Sequence, residues 1–564
     1  MTSLLNLPDE LLLQVAGCLA IPNLDEADGG YRISPTWNMC RIFEDGHNPD
    51  TDLRHLCLAS RRLRPIACAV LYRYPKIPTA DQPAVGERTA PIVYLLRTLA
   101  SRPDLARSVQ KIDLLVRPRC SGHSLEEQTA IESNGDCVCT CGYRDLAVVI
   151  EQLVERQEMR LWTSKKLQNL PSGSRRQRYQ FYSEWVHCIR CGEELALVDM
   201  LLHLLPNLQH MSTRSSNFFE DELLWGQSYH NTSRLGVYPA YSPIFVPGFA
   251  NLRSITSDHV LPWSVVTMPT LKTLEYHVEF SSFSTQYVLY ASTYVPRSAC
   301  SNISALILNL DVRFLEFYVD FEEPYEYIER LLEQTSAINI LHVRMTYSED
   351  FLEFRSRDDD PDPYDERIIE NTKQNFISLH KLLKGGNLST VRDFVVDRSD
   401  TRILNGQWHE PFLDFSMFPS LERLVTPQCG LFDFSHTRLA SLRLASTLKT
   451  LEIIDSTRQL NAVVKGILED RDAFPDFGRI VFWCDKKDKL LVLDEFLREV
   501  PACYDPACGR DPAEVEGEMN PEDRDEQSWK PFDWVDNDIW DKVRDAGIEV
   551  IIGQEKRGWR QLCR

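Results

Sequence analysis

The sequence predicts an α/β protein in which a small helical module at the N-terminus precedes a long, irregularly repeated body. Three observations lead to this prediction. Amphipathic helical patterns occupy the start of the chain. A short phrase containing L-x-x-[LI] recurs through the remainder, and helical stretches separate its copies. Because strand and helix alternate along the chain, the strands are expected to be parallel.

The size and charge of the chain restrict its function class. With 564 residues, the chain is too long for one ordinary compact core, so it needs several domains or a repeat array. Its hydrophobic content of 43% and charged content of 26% are typical of folded globular proteins. The net charge of -21 disfavours binding to nucleic acid and to anionic membranes. No apolar run reaches the roughly 18 residues of a membrane-spanning helix.

The cysteines and the first residues indicate a reducing compartment. Sixteen cysteines are present, mostly one at a time, which favours free thiols or metal ligands over a disulfide framework. The first apolar stretch lacks the basic residues that open a signal peptide. We therefore expect the protein to be cytoplasmic, nuclear or both.

Three short helices are predicted in residues 1–75. Pro8 suits the first turn of the first helix, and acidic residues follow it. The second helix is predicted after an N-cap at Thr51 and the third after an N-cap at Ser60. A polar insertion, at about 22–51, separates the first two helices. Helices this short bury little surface, so the module is expected to rest on a partner.

The module resembles the F-box, in the variant that opens many fungal F-box proteins. It contains L-P-x-E-[LI]-L, then D-L-x-x-L-x-L-A-S-R-R-L-R, and finally V-L-Y-R. The resemblance implies a three-helix fold that docks on a Skp-type adaptor and, through it, on a cullin-RING ubiquitin ligase. The adaptor-binding residues that it implies are Leu7, Pro8, Glu10, Leu11, Val15, Leu19, Leu53, Leu56, Ser60, Arg61 and Leu63. The alternative is a helical cap on a repeat protein, with no adaptor.

The recurring phrase predicts half-buried parallel strands in residues 76–500. Copies are predicted around Leu105, Leu208, Leu252, Leu271, Ile303, Ile338, Leu421 and Leu448. This body resembles a degenerate leucine-rich-repeat array, which implies an irregular α/β solenoid with a long face suited to a target protein. Because the spacing is uneven, an ordinary α/β domain is the alternative.

Several segments interrupt or follow this body. A cysteine-bearing insertion is predicted at about 117–195, and an acidic loop at 356–366. Residues 501–531 are acidic and rich in proline and glycine, so they are expected to be a disordered insertion. Residues 532–564 are expected to form a terminal helix, which stops at Gly547, and a strand.

The cysteines of the insertion are the only candidate metal ligands. Cys139 and Cys141 belong to a C-x-C-x-C run, and Cys188 and Cys191 have the C-x-x-C spacing of a zinc knuckle. These four residues form either a structural zinc site or independent reduced thiols. No other cofactor is expected.

The sequence contains no recognisable catalytic motif, so we expect no enzymatic activity. Nucleophile elbows, phosphate-binding loops, dinucleotide-binding loops and H-E-x-x-H are all missing from it. By resemblance, the chain is expected to be the substrate-recognition subunit of an SCF-type E3 ubiquitin ligase with an unknown protein substrate. The alternatives are an F-box scaffold that acts outside ubiquitination and a zinc-dependent enzyme within the cysteine-bearing insertion.

Overall fold

The computed structural model describes the helices, the strands and their immediate connections. The described residues are 7–19, 49–75, 91–116, 194–215, 247–257, 261, 263–278, 301–311, 322–346, 379, 382–384, 386–397, 414–427, 431, 444–454, 460–483 and 542–553. They fall into two compact units, with the boundary between Leu274 and Glu275.

The described strands form a parallel sheet of eleven strands that lie in chain order. The predicted α/β class is therefore confirmed. The strands are β1 (Lys111–Val116), β2 (His210–Ser215), β3 (Ser254–Ser257), β4 (Thr273–Val278), β5 (Ala305–Asp311), β6 (Ile340–Thr346), β7 (Asp393–Asp397), β8 (Arg423–Pro427), β9 (Thr450–Ile454), β10 (Arg479–Trp483) and β11 (Glu549–Gly553).

Helices precede the sheet and lie between its strands in the chain. The α-helices are α1 (Asp9–Leu19), α2 (Pro49–Ala59), α3 (Leu63–Leu71), α4 (Pro91–Ser101), α5 (Pro103–Ser108), α6 (Glu194–Leu204), α7 (Trp263–Val266), α8 (Glu322–Gln334) and α9 (Leu460–Glu469). Short 3-10 turns occupy Pro247–Asn251, Phe415–Met417 and Arg471–Ala473.

One backbone hydrogen-bond pattern precedes the strands in both units. Two successive N–H groups donate to a single carbonyl of the preceding copy. The N–H groups of Arg392 and Asp393 donate to Asn339 O at 2.8 and 3.0 Å, and those of Glu422 and Arg423 donate to Arg392 O at 2.8 and 2.9 Å. The local geometry is therefore regular, although the spacing of the copies along the chain is uneven.

An apolar residue two positions before the strand is buried in β1 to β10. Seven of the predicted copies have this residue in the core, at Leu208, Leu252, Leu271, Ile303, Ile338, Leu421 and Leu448. Two further copies have it at Val391 and Phe477, whereas the buried Ile548 directly precedes β11. The copy predicted at Leu105 is wrong, because Pro103 opens helix α5 and Leu105 lies within that helix. The copy that leads into β1 instead has Val109 at this position.

A side-chain hydrogen bond links several neighbouring copies. Its donor is an asparagine or threonine immediately before the buried apolar residue, and its acceptor is a backbone carbonyl of the preceding copy. The pairs are Asn207 Nδ2 to Arg107 O (2.7 Å), Asn251 Nδ2 to Pro206 O (3.0 Å), Thr390 Oγ1 to Ile338 O (2.8 Å) and Thr447 Oγ1 to Leu421 O (2.9 Å). Such bonds satisfy carbonyls outside the strand ladder.

The N-terminal helices pack around a small core of Ala16, Leu53 and Val70. Helix α2 begins at Pro49, so Thr51 lies inside the helix and is not its N-cap. Proline is common in the first turn of a helix, because a backbone N–H at that position has no acceptor within the helix and its loss costs nothing. The N-cap predicted at Ser60 is also wrong, because Arg62 is the N-cap residue and α3 begins at Leu63. Ser60 Oγ instead accepts a hydrogen bond from the backbone N–H of Arg62 at 3.2 Å, in the turn before the helix.

The C-terminal end of the described chain contains the predicted helix, the glycine after it and the predicted strand. Residues 542–545 are helical, Gly547 has a φ of 72°, and β11 follows it. This φ favours glycine, as is common after a helix.

Most predicted insertions lie outside the described residues. This applies to the acidic segments at 356–366 and 501–531, to nearly all of the insertion at 117–195, and to most of the insertion at 22–51. Among the described helices, none has the length and apolar character needed to cross a membrane.

We expect Thr447→Val to destabilise unit 2 by about 1 kcal/mol. The substitution keeps the side-chain shape but removes the hydroxyl that bonds to Leu421 O at 2.9 Å and Pro419 O at 3.2 Å. Urea unfolding, followed by tryptophan fluorescence, measures the loss. Thr447→Ser retains the hydroxyl and serves as the control. Equal stability of the valine and serine variants would contradict this role of the hydrogen bond.

Candidate functional site

Arg62 brings the two sequence blocks of the N-terminal module together. Its Nη2 donates to the Asp9 carboxylate at 2.7 Å and to Leu7 O at 2.8 Å, and its Nε donates to the same carboxylate at 3.2 Å. Both side chains of the ion pair are exposed, so the pair adds little stability. The pair instead holds the start of α1 next to the residue that precedes α3.

The residues predicted to bind an adaptor occupy three environments. Leu53 and Leu63 are buried and stabilise the module from inside. The exposed ones are Pro8, Glu10, Leu11 and Arg61, and the half-buried ones are Leu7, Val15, Leu56 and Ser60. Leu19 ends α1, and its side chain lies outside the described set. The exposed and half-buried residues of the predicted adaptor-binding set can therefore contact a partner directly.

The module also presents leucines to solvent. Leu58 is 84% exposed, and Leu11 and Leu13 are each 43% exposed. Five large apolar side chains are exposed in the described part of the chain, and these three are the ones that belong to the module. Sequence reasoning missed Leu13 and Leu58. The available signal was that Leu58 lies off the apolar stripe that contains Leu53 and Leu56.

A second candidate site lies on the face of the sheet in unit 2. We call it the polar row and define it as Glu275, His277, Asn309, His342, Arg344 and Asp397. Asn309 Nδ2 donates to Glu275 Oε1 at 3.1 Å and lies 3.2 Å from His277 Nε2. His277 Nε2 is in turn 3.3 Å from Glu275 Oε1. Three side chains from β4 and β5 thus form one buried hydrogen-bonded group.

Two ion-paired arginines lie beside this group. Arg344 Nε is 3.4 Å from Asp397 Oδ2, without the alignment of a hydrogen bond. Arg423 donates through Nη1 to both carboxylate oxygens of Asp393, at 3.1 and 2.9 Å, and through Nε to Glu452 at 2.7 Å. Charge-assisted hydrogen bonds to two carboxylates fix the orientation of this guanidinium group.

His342 is the one member of the polar row whose two ring nitrogens both lack a hydrogen-bond partner. It is 4% exposed. Strand pairing places it beside Ile307 and Val395, which belong to an aliphatic cluster on the same sheet. The aliphatic neighbours explain its isolation, because they offer the imidazole no donor or acceptor.

The surroundings lower the pKa of both His342 and Glu275, which neutralises the histidine and keeps the glutamate charged. Burial and the charges of Arg423 and Arg344 lower the pKa of His342 to about 3, against the opposing effect of Asp397 and Glu275. Burial alone would raise the pKa of Glu275, but His277, Arg344 and Asn309 outweigh it and lower this pKa to about 2. At neutral pH, His342 is therefore uncharged and Glu275 is ionised.

The arrangement on the sheet face is suited to hydrogen bonding and charge pairing. The polar row and its neighbours contain four carboxylates, those of Glu275, Asp393, Asp397 and Glu452, against two guanidinium groups. Among the described residues, no group of His, Cys, Asp and Glu side chains is arranged to hold a metal ion. The predicted zinc ligands Cys139, Cys141, Cys188 and Cys191 lie outside those residues, so a structural zinc site stays a prediction.

Comparison with protein-family models and with curated proteins finds no match to this chain.

We expect acid to destabilise unit 2 through His342. The ordinary pKa of 6.5 is lowered to about 3 in the fold. Below pH 6.5, the imidazole of His342 is protonated in the unfolded chain but not in the folded chain. The free energy of unfolding therefore falls as the pH drops from 6.5 towards 3. At 1.36 kcal/mol per pH unit, the loss between pH 7 and pH 4 is roughly 3 kcal/mol.

His342→Leu should remove this loss. The leucine extends the aliphatic cluster and removes an unpartnered buried group, so we also expect a gain of about 1 kcal/mol at pH 7. Urea unfolding at pH 7 and pH 4 measures both effects. Val395→Ala is the control, and it should reduce stability equally at the two pH values. A leucine variant as acid-sensitive as the wild type would show that other groups cause the effect. Glu275 titrates in a lower window, between its ordinary pKa of 4.5 and about 2.

Proposed function

We propose that this protein is a non-catalytic substrate-recognition subunit of an SCF-type ubiquitin ligase. In this proposal, the N-terminal module docks on a Skp-type adaptor and the repeated body binds a target protein. The observation that carries the proposal is the set of exposed leucines, Leu11, Leu13 and Leu58, on a module whose motifs resemble the F-box. No chemical step is assigned to the chain itself.

The energetics of the module support docking. Its own core is small, being centred on Ala16, Leu53 and Val70. Full burial of a leucine side chain is worth about 1.5–3 kcal/mol, so exposed leucines represent stabilisation that a partner can supply. Three of the five large apolar side chains that are exposed in the described part of the chain belong to this small module.

The connection between the module and β1 supports a mechanism based on proximity. Arg73 O accepts hydrogen bonds from the N–H groups of Gln110 and Lys111, at 2.9 and 3.1 Å, in the same pattern that links the strands. The Tyr74 hydroxyl also donates to the Asp113 carboxylate. Within unit 1, the end of the module is thus hydrogen-bonded to the first strand of the sheet. A firm connection would hold a bound target at a defined position relative to the adaptor and raise the effective concentration of its lysines.

Charged side chains at the starts of the strands in unit 2 support protein recognition. Lys449 pairs with Glu422 at 2.9 Å, and Arg479 pairs with Glu549 at 2.7 Å, and all four side chains are exposed. Exposed pairs of this kind contribute little to stability and are readily exchanged for charges on a partner. Complementary charge sets the association rate and the specificity of an interface. The net charge of -21 favours a target with a basic surface.

We expect Leu58→Ala to weaken binding to a Skp-type adaptor about tenfold, and Leu58→Asp to abolish it. Leu58 is 84% exposed, so neither change disturbs the core of the module. Co-purification and calorimetric titration of the full chain with the adaptor measure the effect.

The matched control is Tyr94→Ala, which removes an exposed aromatic ring from α4, outside the module. Its affinity for the adaptor should equal that of the wild type. The docking proposal would be refuted if the wild-type chain failed to bind the adaptor. It would also be refuted if both Leu58 variants bound the adaptor with wild-type affinity.

A second measurement separates the ligase role from a scaffold role. The full chain is combined with adaptor, cullin, RING protein and conjugating enzyme, and ubiquitin transfer to proteins that co-purify with the chain is followed. Transfer that requires Leu58 supports substrate recognition. Adaptor binding without any transfer would instead support the scaffold alternative.

A further inference from the structure

Two cysteine thiols of the N-terminal module lie close to each other. Cys57 is near the end of α2 and Cys68 is in the middle of α3, and their sulfur atoms are 3.5 Å apart. Both are free and half-buried. Cys57 Sγ also lies 4.0 Å from Arg64 O, at the long limit for a thiol hydrogen bond.

The distance between these sulfur atoms is well suited to a covalent bond. A disulfide bond is about 2.05 Å long, so the sulfurs need to approach by about 1.5 Å. The two helices already pack against each other, since α2 and α3 share the core formed by Leu53 and Val70.

We propose that Cys57 and Cys68 form a site of reversible oxidation, at which hydrogen peroxide closes a disulfide between α2 and α3. In the first step, the sulfur of Cys68 attacks one peroxide oxygen and the O–O bond breaks, which gives a sulfenic acid and one water. In the second step, the sulfur of Cys57 attacks that of Cys68 and the S–O bond breaks. The leaving hydroxide takes the proton of Cys57 and departs as a second water. Two thiols are oxidised by two electrons, and one peroxide is reduced to two waters.

The surroundings of the pair assign these two roles. Burial, together with the neighbouring Cys68, raises the pKa of Cys57 to about 11. Cys57 is therefore a protonated thiol at neutral pH, and it can donate a hydrogen bond towards the sulfur of Cys68. A protonated thiol is a poor nucleophile, so Cys57 is assigned the second step and Cys68 the first. Cys57 then lies in place to capture the sulfenic acid before it is oxidised further.

The proposed disulfide would fix two helices of the module against each other, directly beside the exposed Leu58. This inference does not depend on adaptor binding. Oxidation of the pair and docking of the module are measured separately, so the failure of one proposal leaves the other intact.

The test treats the folded, full-length chain with hydrogen peroxide and blocks the remaining thiols with N-ethylmaleimide. Non-reducing proteolysis and mass spectrometry then identify the linked peptides. Residue-specific mapping is required because the chain has 16 cysteines. We expect a Cys57–Cys68 link that dithiothreitol reverses. We also expect it to form about tenfold faster in the folded chain than in urea, since folding holds the two sulfurs together.

Two single variants test the assigned roles. In Cys57→Ser, Cys68 lacks its resolving thiol and should accumulate as sulfinic acid. In Cys68→Ser, Cys57 should stay reduced under the same treatment. Circular dichroism confirms that each variant is folded. Persistent reduced thiols at both positions of the wild-type chain would overturn the proposal. It would also be overturned by sulfinic acid at Cys68 without a link, or by a link that forms equally fast in urea.

Discussion

The shared-carbonyl link between successive copies is the constraint on which the sheet depends. Two N–H groups at the start of a strand donate to one carbonyl of the copy before it, as at Asn339 and Arg392. This link fixes the register of each new strand against its neighbour, whatever the length of chain between them. Side chains at equal positions therefore line up across the sheet, as Asn309, Arg344 and Asp397 of the polar row do.

The same constraint explains how much of the fold the sequence reveals. Seven copies were predictable because a leucine or isoleucine lies at the buried position. The copy at Phe477 was missed because a phenylalanine replaces the usual aliphatic residue, and Leu105 misled because its helix has a similar apolar spacing. In the module, Leu53 and Leu58 have the same chemistry in the sequence. One is buried and the other exposed, and the helical position of Leu58, off the apolar stripe of Leu53 and Leu56, is the signal that separates them. His342 meets Ile307 and Val395 through strand pairing between distant segments, so its isolation could not be predicted.

The polar row and the aliphatic cluster show two ways in which the sheet treats buried polarity. Glu275 keeps its charge because His277 and Asn309 compensate the cost of burial. His342, with no such partners, loses the ability to be charged at neutral pH. Buried polar groups that hydrogen-bond to each other help to specify one arrangement of neighbouring strands, whereas an isolated group only costs stability. The hydrogen bonds of the polar row therefore favour the pairing of β4 with β5. On β6, the isolated His342 lowers the stability of the fold.

The hydrogen bonds at Arg73 have a practical consequence for the sheet edge. As the first strand in the sheet order, β1 would begin with unpaired donors at Gln110 and Lys111 if the chain before it were removed. Open strand edges pair readily with other chains and promote aggregation. The end of the module covers the start of this edge, in the way that a capping unit protects a stack of repeats. A fragment that begins after Tyr74 would expose the unpaired start of β1 and would be prone to aggregation. The first 75 residues are therefore needed for solubility as well as for docking.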